Sequence, residues 1–186
     1  SAVGVYGNRG GEKLSEEAPA GSGFLAELCS DWEAAAFAAE KKGVRVACLR
    51  IGVVLDRGGG ALAQMLLPFR VGAGGPIGSG KQFVPWIHRR DLVELFVEAA
   101  TNPEYIGAVN ATAPQPVPFA KFAKSLGTSL RRPAVIPVPG FMLKIIFGDA
   151  AQVLLEGQNA VPTKALQFGF TFGFEALSEA FDDITQ

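Results

Sequence analysis

A chain of 186 residues suits one domain or one and a half, and can bury roughly two thirds of the surface that its unfolded form exposes. With 48% hydrophobic and 19% charged residues it is no disordered tail, and a formal net charge of −1 excludes a protein that coats nucleic acid through a basic surface. No apolar run reaches the roughly 20 residues that span a bilayer, because the most apolar patch, 137–147, is broken by Pro139, Gly140 and Lys144; no transmembrane segment is expected.

In chain order, Ser22 is placed to cap a helix in which Phe24, Leu25, Leu28, Trp32, Ala35, Ala36 and Ala39 recur at three- and four-residue spacing, with Gly43 as the stop. That stripe predicts a helix packed on a sheet. Residues 44–55 read as one β-branched strand, buried on both faces of a parallel sheet. After Gly58-Gly-Gly60, a helix is expected over 61–69, an extended run over 81–87, and a helix over 90–100 with Leu92, Leu95, Phe96 and Ala99 on one face and Asp91 as its N-cap. A short strand at 109–112 follows, then a helix from Pro118 through Leu130 and a strand at 134–138. One or two helices at 141–155, a short helix at 162–168, a short strand at 170–174 and an amphipathic helix at 175–184 complete the pattern. The order is mixed α/β, with no internal repeat and no low-complexity linker.

Cys29 and Cys48 fall inside the first helix and the following strand, so buried reduced thiols and an intracellular, reducing compartment are expected, whether cytoplasm or organelle. One histidine and two separated cysteines make no tetrahedral metal site. The start, Ser-Ala-Val-Gly without Met, is that expected of a processed, separately encoded or partial product.

Gly74 to Asp91 joins a glycine-rich loop to an extended run and a helix-starting Asp, and resembles the substrate-side crossover of extended short-chain dehydrogenases of the nucleotide-sugar-epimerase kind. With Ser1-Ala-Val-Gly-Val-Tyr-Gly7, Asp31-Trp-Glu33 and Leu49-Arg-Ile-Gly-Val-Val-Leu55, the chain is similar to the atypical epimerase-family branch, whose members are often labelled cell-division-inhibitor-like. The resemblance covers essentially the whole chain but begins in the middle of the family's fold. It implies the C-terminal part of a Rossmann-like doubly wound parallel sheet over 1–60 and a smaller α/β substrate domain over 61–186, with about 81–112 returning to the sheet. The strands that would flank residues 44–55 then lie in a missing N-terminal half, which leaves an open strand edge and predicts association with that half or with a partner protein.

Dinucleotide binding in such folds needs a Gly-rich turn between the first strand and helix, where helix amides meet the pyrophosphate. No G-x-G-x-x-G occurs, and Gly72–Gly80 leads into an extended run, as a substrate-side loop or a plain surface loop would. NAD(P) is therefore expected only with the N-terminal half, and no cofactor for this chain alone. The family's chemistry also needs a Tyr four residues before a Lys. Tyr6 and Tyr105 are followed at that spacing by Gly10 and Val109, and anchoring on Glu33 puts the two positions at Leu25 and Cys29. What the resemblance implies is a catalytically silent fragment of an NAD(P)-binding, epimerase-like protein. The alternatives are an NAD(P)-dependent epimerase or reductase completed by N-terminal sequence, and a docking subunit of a larger complex.

The same resemblance marks Ser1 as the catalytic candidate, at the serine that hydrogen-bonds the substrate oxygen, and Arg50, Ile51, Gly52 and Val53 as the strand that passes the nicotinamide. Glycine inside a buried strand marks close approach of another backbone or of a ligand, or a helix-packing requirement. Gln82, Trp86 and His88 alternate with period two and are expected to face one small-molecule cleft, Trp86 offering a stacking face; Arg70 is placed as an anion partner. A lone histidine is as readily structural.

Overall fold

The computed structural model describes residues 1–141, 145, 148 and 155–185; the helices expected over 141–155 lie mostly outside them. The chain enters through a single 3-10 turn, Val3–Tyr6, and a two-residue strand β1, Lys13–Leu14. Helix α1, Phe24–Phe37, starts after Gly23 at φ 100 with no side-chain cap, so Ser22 is not the cap. A 3-10 extension, Ala38–Lys42, ends at Gly43, whose φ of 77 is the left-handed conformation that favours glycine, as the sequence suggested. The buried residues of α1 are Ala26, Cys29 and Glu33, while Phe24 and Trp32 are 77% and 54% exposed. Phe24 and Trp32 of the stripe expected to pack on the sheet thus face outward, and a narrower face carrying a carboxylate is the one that is buried.

Residues 44–55 do not form one strand. β2, Ala47–Ile51, runs parallel to β6, Gly107–Ala111, while β3, Val53–Leu55, runs parallel to β5, Trp86–His88. The break falls at Gly52, where the Pro85 carbonyl enters the ladder and accepts from the Val53 amide at 2.7 Å. On the other side of β2, Ala2 bridges Ile51 and the Ile51 amide donates to the Ser1 carbonyl. The expected run at 81–87 is also divided, into β4, Phe83–Val84, antiparallel to β7, Val117–Pro118, and β5 beyond Pro85. β1 pairs in parallel with β8, Asn159–Ala160, tying the first loop to the last third of the chain.

Helix α2 spans Gly60–Arg70, α3 Arg89–Thr101, α4 Phe119–Ser129, α5 Thr163–Gln167 and α6 Leu177–Thr185, each near its expected position. On α3, Leu92, Leu95 and Ala99 are buried whereas Phe96 is exposed. The expected strand 134–138 is reduced to one bridge, Val138 with Ile77, and no strand forms over 170–174. One core joins Leu55, Trp86, Phe122, Leu126 and Phe181; a second joins Ile87, Leu95, Tyr105 and Val109; a third, with Val5, Tyr6, Leu14 and Cys29, lies under the entry turn. Phe122 and Phe181 meet edge to face at 5.0 Å, and burial of each ring stabilises the fold by about 1.5–3 kcal/mol.

The N-cap of α3 is His88, not Asp91: its Nδ1 accepts from the Arg90 amide at 3.2 Å. Asp91 is spent instead on the chain end, accepting from the Gly173 and Phe174 amides. Because Nδ1 is an acceptor, neutral His88 carries its proton on Nε2, 3.3 Å from Asp183 Oδ2, with the ring 3.8 Å from that of Phe174. Burial lowers the His88 pKa from 6.5, against the opposing pull of Asp183 and Asp91, and with Arg90 adding to the depression. A depressed histidine leaves the unfolded state holding more protons, so its contribution is complete above about pH 6.5 and is lost as pH falls below it. Urea midpoints should decline from pH 7.5 to 5.5, and His88→Asn, which keeps an N-cap acceptor, should flatten that decline. An unchanged slope in the variant would assign the acid loss elsewhere.

Candidate functional site

The break at Gly52 opens one end of the parallel strands, and a cavity of about 250 Å³ sits there. Its floor is Ile51, Gly52 and Val53 with Phe83–Pro85. The entry turn contributes Ala2, Val3 and Gly4, and α1 contributes Leu25 and Cys29, which approach Gly4 closely enough that a β-carbon there would lie 3.5 Å from Leu25 Cβ and 3.9 Å from Cys29 Sγ. Ala61 and Met65 of α2, Phe119 and Phe122 of α4, and Gln82, Glu156 and Gln158 complete the wall. An open pocket outside strand ends is where ligands gather in such sheets.

Behind this wall lies a buried polar network. Arg50 turns away from the cavity and grips Glu33 with two hydrogen bonds of 2.8 Å each, while its third nitrogen reaches the Tyr6 hydroxyl at 2.9 Å. Ser1 Oγ donates to Glu33 Oε1 at 2.7 Å, and Tyr6 donates to Asn110 Oδ1 at 2.7 Å. Burial alone pushes the Glu33 pKa up, but the bonds from Arg50 and Ser1 outweigh it and hold the carboxyl below its usual range. For Arg50, burial favours the neutral form, and the bonds to Glu33 and Tyr6 more than reverse that, raising its pKa. Burial raises the Tyr6 pKa against the lowering influence of Arg50. This cluster bolts the entry turn and α1 to β2; its groups are engaged with one another.

Of the residues singled out from sequence, Ile51, Gly52, Val53 and Gln82 come together in the cavity. The others do not. Ser1 offers its hydroxyl to Glu33, and it is Ala2 that lines the pocket. Arg50 lies behind the floor, and Arg70 is exposed at the end of α2. Trp86 is 0% exposed in the first core, its Nε1 bonded to the Gln115 carbonyl at 3.0 Å, so it presents no stacking face. His88 is 3% exposed at the start of α3. The period-two alternation fails because Pro85 separates two strands that pair with different partners.

Sequence reasoning missed Met65, Phe119, Phe122, Glu156 and Gln158. Leu25 and Cys29 were flagged only as positions where a Tyr and a Lys would stand, and they do face the cavity. Among the described lining residues Glu156 is the one carboxylate. No group of three His, Cys, Asp or Glu suited to a metal occurs among the described residues, and no helix among them is long and apolar enough to cross a membrane. The Tyr105 hydroxyl, buried in the second core with no hydrogen-bond partner among the described residues, has its pKa pushed up to about 12 by burial.

Known proteins match both the sequence and the geometry. Residues 138–184 match the family described as Domain of unknown function (DUF1731). The chain is 47% identical over 186 residues to the chloroplastic Epimerase family protein SDR39U1 homolog of Arabidopsis thaliana, covering 100% of this chain and 53% of that protein. It is 43% identical over 174 residues to Epimerase family protein SDR39U1 of Homo sapiens, covering 92% of this chain and 59% of the relative. Among solved structures, that of the human epimerase family protein SDR39U1 (isoform 2) with NADPH superposes with a TM-score of 0.89 at 38% identity, covering 99% of this chain and 63% of that one. A UDP-galactose 4-epimerase, at 20% identity and a TM-score of 0.72, shares the fold. The chain thus spans little more than half the length of its curated relatives, and over that span it belongs to the epimerase family of extended short-chain dehydrogenases, with their Rossmann-like α/β fold.

Proposed function

We propose that this chain supplies the nicotinamide-facing floor and the substrate-facing wall of an NAD(P)-binding, epimerase-like protein, and that alone it is catalytically silent. Residues 1–60 are assigned to the dinucleotide domain and 61–186 to the substrate side, with about 81–112 returning to the sheet. The observation that carries this reading is the cavity wall: Leu25, Cys29 and Ala2 meet there above Ile51-Gly52-Val53, with no phenol and no ammonium among the described lining residues. The NADPH in the human relative's structure supports the cofactor class. The absence of a G-x-G-x-x-G phosphate turn from the sequence supports its dependence on further polypeptide. Cys29 and Cys48, both free and buried, support an intracellular, reducing compartment.

Thermal melts test this. A ligand stabilises only by mass action on a site that exists, so millimolar NADPH, NADH or either oxidised form should leave the Tm of this chain within measurement error, and no turnover should be seen. A reproducible rise of several degrees would overturn the reading.

A second reading is favoured by two features: the edge of β2 that no strand pairs over Ala47–Arg50 among the described residues, beside the Ala2 bridge, and the exposed Phe24 and Trp32 on α1. An added strand and its packed helix would cover both, so a partner polypeptide completing the sheet fits them. Sedimentation at micromolar concentration should then show self-association or capture of that partner. A sharp monomer boundary with cooperative melting would count against it.

A further inference from the structure

Beyond the cavity, the C-terminal end of α2 and the segment that follows α4 meet at an exposed apolar corner. A β-carbon on Gly72 would lie 3.8 Å from Pro133 Cγ, and the Ile136 amide donates to the Gly74 carbonyl at 3.2 Å. The pairing continues as Val138 donates to Pro76 and Gly78 to Val138, so residues 71–78 and 133–138 lie side by side. Leu67 and Val71 at the end of α2 and Val135 on the neighbouring segment are each at least 70% exposed, and Ile136 is exposed with them. Single exposed aliphatics are ordinary, but several at one corner mark a surface that meets something. The charge there is one-sided. Residues 57–90 and 105–148, which supply this corner, hold ten Lys and Arg and no Asp or Glu, although the whole chain has a net charge of −1. Arg89 and Arg90 are matched by Asp56 and Asp183, whereas Arg70, Arg131 and Arg132 stand exposed at the corner with no ion pair among the described residues.

All 18 acidic residues fall outside those two stretches, so charge is separated across the molecule and an anionic surface turns this corner toward itself. A second copy presenting the same corner is repelled. Pro133 and Pro137 take two amide donors out of the outer segment, which makes it a poor edge for an added peptide strand. A fluid lipid surface needs neither a strand edge nor a matching shape. We propose that this corner docks on an anionic lipid bilayer, with Leu67, Val71 and Val135 entering the headgroup boundary and Arg70, Arg131 and Arg132 set against the lipid phosphates. The docking is peripheral and independent of what the cavity binds.

Vesicle flotation tests it, with phosphatidylcholine alone and with roughly 30% phosphatidylserine added. The chain should float with the anionic vesicles only, and near-molar salt should weaken binding at least about tenfold. Each cation near such a surface strengthens binding about fivefold, so Arg70→Gln with Arg132→Gln should cost about 25-fold. Arg70→Lys with Arg132→Lys should float like the parent, because a bilayer reads charge rather than guanidinium geometry. Leu67→Ser with Val71→Ser should also lose binding, whereas Val93→Ser with Phe96→Ser, exposed on α3 beside Glu94 and Glu98, should not. All these positions are exposed, so the variants should melt with the parent; the arginine pair decides if a serine pair melts early. No flotation with anionic vesicles, or flotation that the corner variants leave intact, would overturn the proposal. Retention by soluble polyglutamate without flotation would assign the corner to an acidic protein and overturn it equally.

Discussion

Replacing Glu33 with alanine is expected to destabilise the fold by about 3–5 kcal/mol, read as a lower urea midpoint at unchanged m-value. The Arg50 guanidinium and the Glu33 carboxylate are both nearly excluded from solvent and held bidentately at 2.8 Å. Removing one partner leaves a buried cation with only the Tyr6 hydroxyl and the Glu16 carbonyl, the latter at 3.3 Å. The paired replacement Glu33→Leu with Arg50→Met should recover most of the loss, because neither charge then needs desolvation. Since the Glu33 pKa is lowered on folding, the pair's contribution is present above about pH 4.5 and fades as pH falls through the folded value. A loss below about 1 kcal/mol for Glu33→Ala would show the pair to be energetically idle.

The second large effect belongs to Gly52. A β-carbon there would lie 2.0 Å from the Pro85 carbonyl oxygen and 3.0 Å from Thr112 Cγ2. The oxygen cannot retreat without breaking its 2.7 Å bond from Val53, so β3 and β5 must part. Overpacking against main chain sits at the upper end of the usual range, and Gly52→Ala should lose about 3 kcal/mol. At this chain length that corresponds to roughly 6–12 °C in Tm. Gly59→Ala, with nothing within 4 Å of the added carbon and an extended φ of −170, should melt like the parent. Equal melting of the two variants would refute the backbone account. It also follows that a larger residue at position 52 reports on folding, whatever its effect on ligand binding.

These two sites show what the sequence can and cannot convey. The helix positions were legible because apolar spacing and Gly43 are local signals, and the glycine at 52 announced a close approach without saying to what. The packed face of α1 was misjudged because it includes Glu33, whose burial depends on Arg50, 17 residues later on another element. The alternation through Trp86 was misleading because Pro85, one residue earlier, ends a strand. Glu156 and Gln158 reach the cavity through the pairing of β1 with β8 and the bond to Gly7, contacts that join residues nearly the whole chain apart. Leu25 and Cys29 were located from Glu33, by counting back along one helix.

At Gly52 the cavity floor is main chain, pinned where the Pro85 carbonyl meets it. Replacement at that position can therefore narrow this pocket but cannot deepen it. Anyone seeking to retune its selectivity must redraw the sides, from Ala61 and Met65 on α2 and Phe119 and Phe122 on α4, and leave the base alone.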